Sequence, residues 1–392
     1  MNYKQSNPTR LYFGAGSIEN LKAEIKEAKN VLLTYGKGSV KKQGLYDEVL
    51  DILKKNEKNV FELSGIKPNP DITSVYEGID ICKKQDIDLI LAIGGGSVID
   101  CSKIIAIGSK YDGDMWQRIK NKQFDLTEKI KLGTILTNSA TSSENNYYAV
   151  ISNEKETLKL GTAFWPVAHP DFSILDPKYT VSLPLAPTVE GVADISSHLM
   201  ETYFHGQDTE NAIVKIVDAE LEALIKGIVT VGPKLVHDLS NLEYRETVMF
   251  LASQGLSTRL RHVVNGDWAC HAMEHALSAV YDIPHGGGLA VLTPNWMDYI
   301  APKRTPKLKQ MAINIFGVSS DGKTDIQIAT EGIEAFRKFL SDIGAPKTLG
   351  YYGIEKSSVD TLVEKALGGG EQIGLMCPLN ADAVKEIITA SL

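Results

Sequence analysis

Residues 87–103 read IDLILAIGGGSVIDCSK, and the reading of this stretch decides the fold. Ile87–Ile93 is an apolar run of strand length without alternation, as expected of a strand buried on both faces. Gly94, Gly95 and Gly96 follow at once. Without Cβ atoms they permit a tight turn and close approach of the backbone to a ligand. Ser97 can cap the helix that starts next, whose exposed first-turn amides and dipole favour an anion such as a pyrophosphate. A triple glycine also occurs in plain turns, so the spacing alone leaves that alternative open.

Outward from this unit the first half of the chain alternates. Val31–Tyr35 is strand-like, Val40–Lys54 carries a helical apolar stripe, Val60–Leu63 is a short strand and Ile72–Lys84 a helix. Leu132–Thr137 and Tyr148–Ser152 read as further strands. Strand and helix alternating at this spacing predict βαβ units and a mostly parallel sheet. From about Pro187 the character changes to long helical patterns: 211–228, 245–260, 269–281, 325–340 and 381–392. The proline-interrupted segment Ser182–Pro187 marks the change. The expected organisation is an α/β domain over residues 1–184 and an all-α domain over 185–392.

The chain has 392 residues, 43% hydrophobic and 23% charged, which suits a globular protein of two domains. A net charge of −8 argues against nucleic acid or an anionic membrane as partner. No run approaches the roughly 18 apolar residues of a membrane span. The polar N-terminal stretch lacks the apolar core of a signal peptide, so a cytoplasmic chain is expected. Cys82, Cys101, Cys270 and Cys377 form no CxxC pair and fit reduced thiols.

Two further loops follow strands. Thr137–Glu144 reads TNSATSSE, with hydroxyls that can reach phosphate or nicotinamide, or simply meet solvent. Gly36–Ser39, followed by Val40-Lys41-Lys42, ends another strand without an acid. An acid there would bind a ribose 2′-hydroxyl and exclude a 2′-phosphate. Its absence points to NADP(H) rather than NAD(H).

The sharpest chemical signal lies in the second half. Asp194 and His198 stand at i,i+4, as do His271 and His275, so each pair projects from one helix face. His285 follows Ile283-Pro284, where a helix must stop. Three histidines and an aspartate make a mixed N/O site for one divalent transition metal, Fe²⁺ or Zn²⁺. His169, His205, His237 and His262 read as ordinary surface or core residues, Cys270 as packing, and Glu190 as an exposed charge.

Together, GGGSVID-x2-K, the hydroxyl loop ending in Ser143-Glu144, D-x3-H and H-x3-H-x9-H resemble the iron-containing (group III) alcohol dehydrogenases. Within that family the butanol dehydrogenase and NADPH-dependent aldehyde reductase branch is most similar. The TR-x2-FG of Thr9–Gly14, the TYGxGSVKK turn of Thr34–Lys42, Pro68-Asn69-Pro70 and the GDWA-x-H of Gly266–His271 carry this likeness. The resemblance spans about residues 8–390. It implies the dehydroquinate synthase-like fold, with an N-terminal Rossmann-like cofactor domain and a C-terminal helical metal domain, and hydride transfer between NAD(P)(H) and a small aliphatic alcohol or aldehyde such as butanol or butanal. It assigns the metal to Asp194, His198, His271 and His285, with His275 as the non-ligand near substrate. Pyrophosphate falls on Gly94, Gly95, Gly96 and Ser97, with Asp100 facing the cofactor. Nicotinamide and ribose contacts fall on Thr137, Thr141 and Ser143, and Lys159 reaches the nucleotide. Gly36, Gly38 and Ser39 take the place of an NAD-selecting acid. A homodimer is expected. The loop departs from the pattern at Ser142, where a glycine is usual, and at Ser139, where a proline is. The rivals are glycerol dehydrogenase-like polyol oxidation, dehydroquinate synthesis, and a non-catalytic metal- or nucleotide-binding role.

Overall fold

The computed structural model describes residues 2–207 and 210–392. Six strands form one parallel sheet: β1 (Arg10–Phe13), β2 (Asn30–Tyr35), β3 (Asn59–Leu63), β4 (Leu89–Gly94), β5 (Lys131–Leu136) and β8 (Phe172–Leu175). Their order is β1-β8-β5-β4-β2-β3. The apolar residues of β2 and β4 split by parity. Leu32, Ile90 and Ala92 enter one core, while Val31, Leu33, Leu89, Leu91 and Ile93 enter the other. Burial of both faces is why these strands read as unbroken apolar runs.

The sheet corrects three local expectations. Tyr148–Asn153 (β6) leaves the parallel sheet and pairs antiparallel with β7 (Leu158–Ala163) as a separate ribbon. The stripe over residues 40–54 is two helices, Ser39–Lys42 and Leu45–Lys55, parted by Gly44 at φ +74°. The helix after the glycine turn starts at Gly96, with Gly95 as its uncapped N-cap. Ser97 therefore lies in the first turn and cannot cap it.

The chain falls into two compact units. One holds Gln5–Pro184 and also Leu239–Thr258; the other holds Leu185–Asp238 and Arg259–Leu392. One unit breaks off at Pro184 and the other takes over at Leu185. The return of 239–258 is an addition: its helix Leu242–Gly255 packs against residues 177–180, and Ala252 and Leu256 bond Ser142.

The second unit is helical. Its main helices are Leu185–Tyr203, Ala212–His237, Ala269–Tyr281, His285–Asn314, Asp325–Asp342, Val359–Leu367 and Ala381–Ala390. The first begins inside Ser182–Pro187, so Pro187 occupies a first turn, where a missing N–H costs little. Among the described residues, no helix is long and apolar enough to cross a membrane. All four cysteines are buried and unpaired with one another.

Candidate metal centre and nucleotide loop

In the helical unit, Asp194 and His198 leave one face of Leu185–Tyr203, and His271 leaves the first turn of Ala269–Tyr281. His285 opens the next helix, immediately after Pro284. One ligand atom from each of the four lies within 4.8 Å of the others. Asp194 Oδ1 is 3.3 Å from His198 Nδ1 and 3.7 Å from His285 Nε2. Donors about 2.1 Å from a tetrahedral ion sit about 3.4 Å apart, so the spacing suits one cation. His198 Nδ1 and His271 Nε2 are buried without a hydrogen-bond partner, a costly state that a metal would relieve. Burial first, then the neighbouring His271 and His285, holds the His198 imidazole well below its ordinary pKa. It is thus kept in the neutral form that ligates.

Three glycines after His285 bring it into place. A Cβ at Gly286 would stand 2.0 Å from the Glu190 carbonyl oxygen, and one at Gly288 would stand 2.9 Å from Glu274 Cγ. Only glycine lets the start of His285–Asn314 approach both helices so closely. The same approach half-buries Glu190 and raises its pKa, so Glu190 is not the exposed charge expected.

His275 lies outside the set of four, with its ring 5.7 Å from His285 and 6.3 Å from His271. It forms a second, smaller group with Glu274 and His285. Spacing within single helices did not reveal Glu201 or Glu274. Both are fully buried, and they contact Nδ1 of His271 and of His285 respectively.

In the sheet unit, the turns after β5, β4 and β2 emerge at the carboxyl ends of three adjacent strands. The order reverses between β2 and β4, the position where open α/β sheets bind ligands. The three glycines are each fitted. A Cβ at Gly94 would meet Val98, one at Gly95 would meet Asn138, and one at Gly96 would stand 2.5 Å from Thr141 Oγ1. Thr137 N–H donates to the Gly94 carbonyl at 3.0 Å, tying the hydroxyl loop to the turn. Gly36 is tight against the Ile66 carbonyl, while Gly38 needs its φ of +112°.

The loop hydroxyls largely face inward. Ser143 Oγ donates to Asp100 Oδ1 at 2.5 Å, and Val150 N–H donates to Asp100 Oδ2 at 2.8 Å. Asp100 thus holds the loop to the helix, and both its oxygens are engaged. Ser142 carries the φ of +53° for which the family uses glycine. Its hydroxyl donates to the Ala252 carbonyl and accepts the Leu256 N–H at 3.0 Å, which offsets the strain of that conformation. Lys159 is buried on β7, and its charge is felt by Asp100.

Three charged neighbours were not assigned a role from sequence. Lys103, fully buried, donates to the Tyr148 carbonyl at 2.6 Å and to Asn146 Oδ1 at 3.1 Å. Burial lowers its pKa to about 8 despite the carboxylates of Asp100 and Glu144. Glu144 is buried too, and burial pushes its carboxyl up to about 7. Glu62, on β3, accepts from the hydroxyls of Tyr35 and Tyr46 and lies 3.6 Å from Lys41 Nζ. It brings an acid to the Gly36–Lys42 turn that the turn's own sequence lacks.

The pattern described as iron-containing alcohol dehydrogenase matches residues 8–177. That of the Fe-containing alcohol dehydrogenase family, C-terminal, matches residues 188–392. A probable NADH-dependent butanol dehydrogenase 1 of Bacillus subtilis (strain 168) is 44% identical, with 100% of both chains covered. The NADPH-dependent aldehyde reductase YqhD of Escherichia coli (strain K12) is 34% identical, over 100% of this chain and 99% of its own. The crystal structure of an NADH-dependent butanol dehydrogenase A from Thermotoga maritima superposes with a TM-score of 0.93 at 35% identity, covering 100% of this chain and 98% of that one. The chain belongs to the iron-containing alcohol dehydrogenase family. It is an NAD(P)-dependent oxidoreductase of alcohols and aldehydes.

Proposed function

We propose that this chain interconverts small aliphatic aldehydes of the butanal type and their alcohols, using NAD(P)(H) and one divalent metal, Fe²⁺ or Zn²⁺. The observation that carries the reading is the convergence of Asp194, His198, His271 and His285 within 4.8 Å in a largely buried site. When bound, the metal supplies Lewis acidity to the carbonyl oxygen and the nicotinamide supplies the hydride. The protein's own groups do the rest. The four ligands hold the cation, with His198 kept neutral by burial. His275 passes the proton that accompanies reduction to or from solvent. Gly94–Gly96 and the first turn of their helix receive the pyrophosphate. The Asp100–Ser143 bond holds the hydroxyl loop that meets the nicotinamide side, with Thr137, Thr141 and Lys159 as further contacts to the nucleotide.

On the choice of nicotinamide we propose that both forms are used. The turn Gly36–Ser39 carries no carboxylate to repel a 2′-phosphate, which supports NADP(H). Relatives at 38–44% identity bear names that state NADH dependence, which supports NAD(H). Glu62 bears on both, since it pairs at 3.6 Å with Lys41, one of the cations of that turn. Four unpaired thiols support a cytoplasmic setting, and the family likeness supports a homodimer.

The test is metal analysis of the purified chain with an aldehyde panel of three to six carbons on NADH and NADPH. The reading expects one equivalent of metal, turnover of butanal, loss of turnover after chelation and its return on adding metal. Turnover that survives full metal removal contradicts it. Glycerol oxidised with NAD⁺ in preference to butanol supports the polyol reading instead.

A further inference from the structure

The carboxylates beneath the metal histidines form a stepped arrangement. Glu201 lies on Leu185–Tyr203, seven residues after Asp194 and so on the same helical face. It is fully buried. Its Oε1 accepts the Cys270 N–H at 2.9 Å, and its Oε2 accepts the His271 N–H at 3.2 Å and contacts His271 Nδ1. One side chain therefore satisfies the first-turn amides of Ala269–Tyr281 and fixes the ring that this turn carries. Glu274, also fully buried, repeats the device one helix later. Its Oε2 contacts His285 Nδ1 and its Oε1 accepts the Ser278 hydroxyl. Leu185–Tyr203 thus supplies two ligands and the carboxylate behind His271, and Ala269–Tyr281 supplies His271 and the carboxylate behind His285.

We infer that Glu201 and Glu274 are positioning residues for the metal. Each accepts Nδ1–H of its histidine, which fixes the tautomer and turns Nε2 toward the shared point near Asp194 Oδ1. The chemistry is general: a ligand imidazole whose other nitrogen donates to a carboxylate is oriented and made more basic. His271 Nε2 is buried and has no hydrogen-bond partner, as this assignment of the proton requires. The two buried carboxylates, with Asp194, also favour a divalent cation over an empty site. The inference rests on the metal reading above but concerns residues that touch neither metal nor substrate.

The test uses the full chain stripped of metal and titrated with Zn²⁺ by calorimetry. Glu274→Gln is the primary variant, because Glu201 also caps a helix and its loss can unfold the unit. Glu274→Gln is expected to weaken zinc binding about 10- to 100-fold, with the melting temperature of the metal-free protein within a few degrees of wild type. The visible spectrum of the Co²⁺ form should shift as the site distorts. In a His285→Ala background the same substitution should change zinc affinity less than twofold, because Glu274 acts through that ring. Glu201→Gln, where folded, should behave alike through His271. Unchanged zinc affinity and cobalt spectrum in Glu274→Gln overturn the inference. So does a full loss of affinity that persists in the His285→Ala background. A wild-type chain that takes up no zinc overturns the metal reading itself.

Discussion

In the helical unit, the candidate metal centre is assembled from side chains. Leu185–Tyr203 aims two donors at one point, and Ala269–Tyr281 and the residue after Pro284 aim one each, with buried carboxylates behind. In the sheet unit, the candidate nucleotide loop is assembled from backbone. Gly94–Gly96 present bare main chain, while Asp100, Ser142 and Ser143 face inward and hold the loops together. The difference teaches how each region should fail. Loss of one ligand side chain in the first removes a donor from a chemical step. A side chain gained in the second displaces the loop and weakens binding without touching the chemistry.

The largest effect belongs to the metal ligands. His271→Ala should cut kcat for butanal reduction by about a thousandfold or more, since Lewis-acid stabilisation is worth several kcal/mol. Metal content should fall with it while the circular dichroism of the folded chain is kept. His275→Gln should lower kcat by about a hundredfold, with metal content and nucleotide affinity unchanged. That split would separate His275 from the four ligands; loss of metal in this variant would place it among them. Gly96→Ala should act from the other side of the comparison. Its Cβ must push Thr141 aside from 2.5 Å, costing about 1–3 kcal/mol. NADH affinity, read by fluorescence titration, should drop about tenfold while metal content stays at wild type.

The smallest effect is on stability. Glu144 has its folded pKa raised by burial to about 7 from 4.5. Between those values the folded chain holds a proton that the unfolded chain has released. Stability therefore falls as pH rises from about 4.5 to 7, and the loss is complete above 7. Glu144→Gln removes this dependence. The gap between its unfolding free energy and that of wild type should move in its favour from pH 5 to pH 7.5, by an amount on the order of 3 kcal/mol at most. A constant gap would mean that Lys103 already keeps Glu144 ionised.

What could be read from sequence follows the same division. The i,i+4 pairs Asp194/His198 and His271/His275 obey a local rule, so spacing alone put them on common faces. The strand before Gly94 was legible because burial on both sides leaves only apolar residues. Glu201 and His271 are 70 residues apart, and no periodicity links a buried glutamate to a histidine on another helix. Glu62 was hidden for a related reason: the sheet, not the chain, brings it to the turn after β2. The inward turn of Ser143 toward Asp100 was likewise invisible, since a hydroxyl's partner depends on what packs beside it. The helix His285–Asn314 contains Pro294, Pro302 and Pro306, which mask its pattern. One signal could have been used: the three glycines after His285 announce the close helix approach that the structure displays.

The most direct test is anomalous diffraction at the zinc edge from crystals of the zinc-loaded chain. The account predicts one strong peak, about 2.0–2.2 Å from donors of Asp194, His198, His271 and His285, with His275 unbound. A peak elsewhere, or one held by His275 and Glu274 without Asp194, would contradict it.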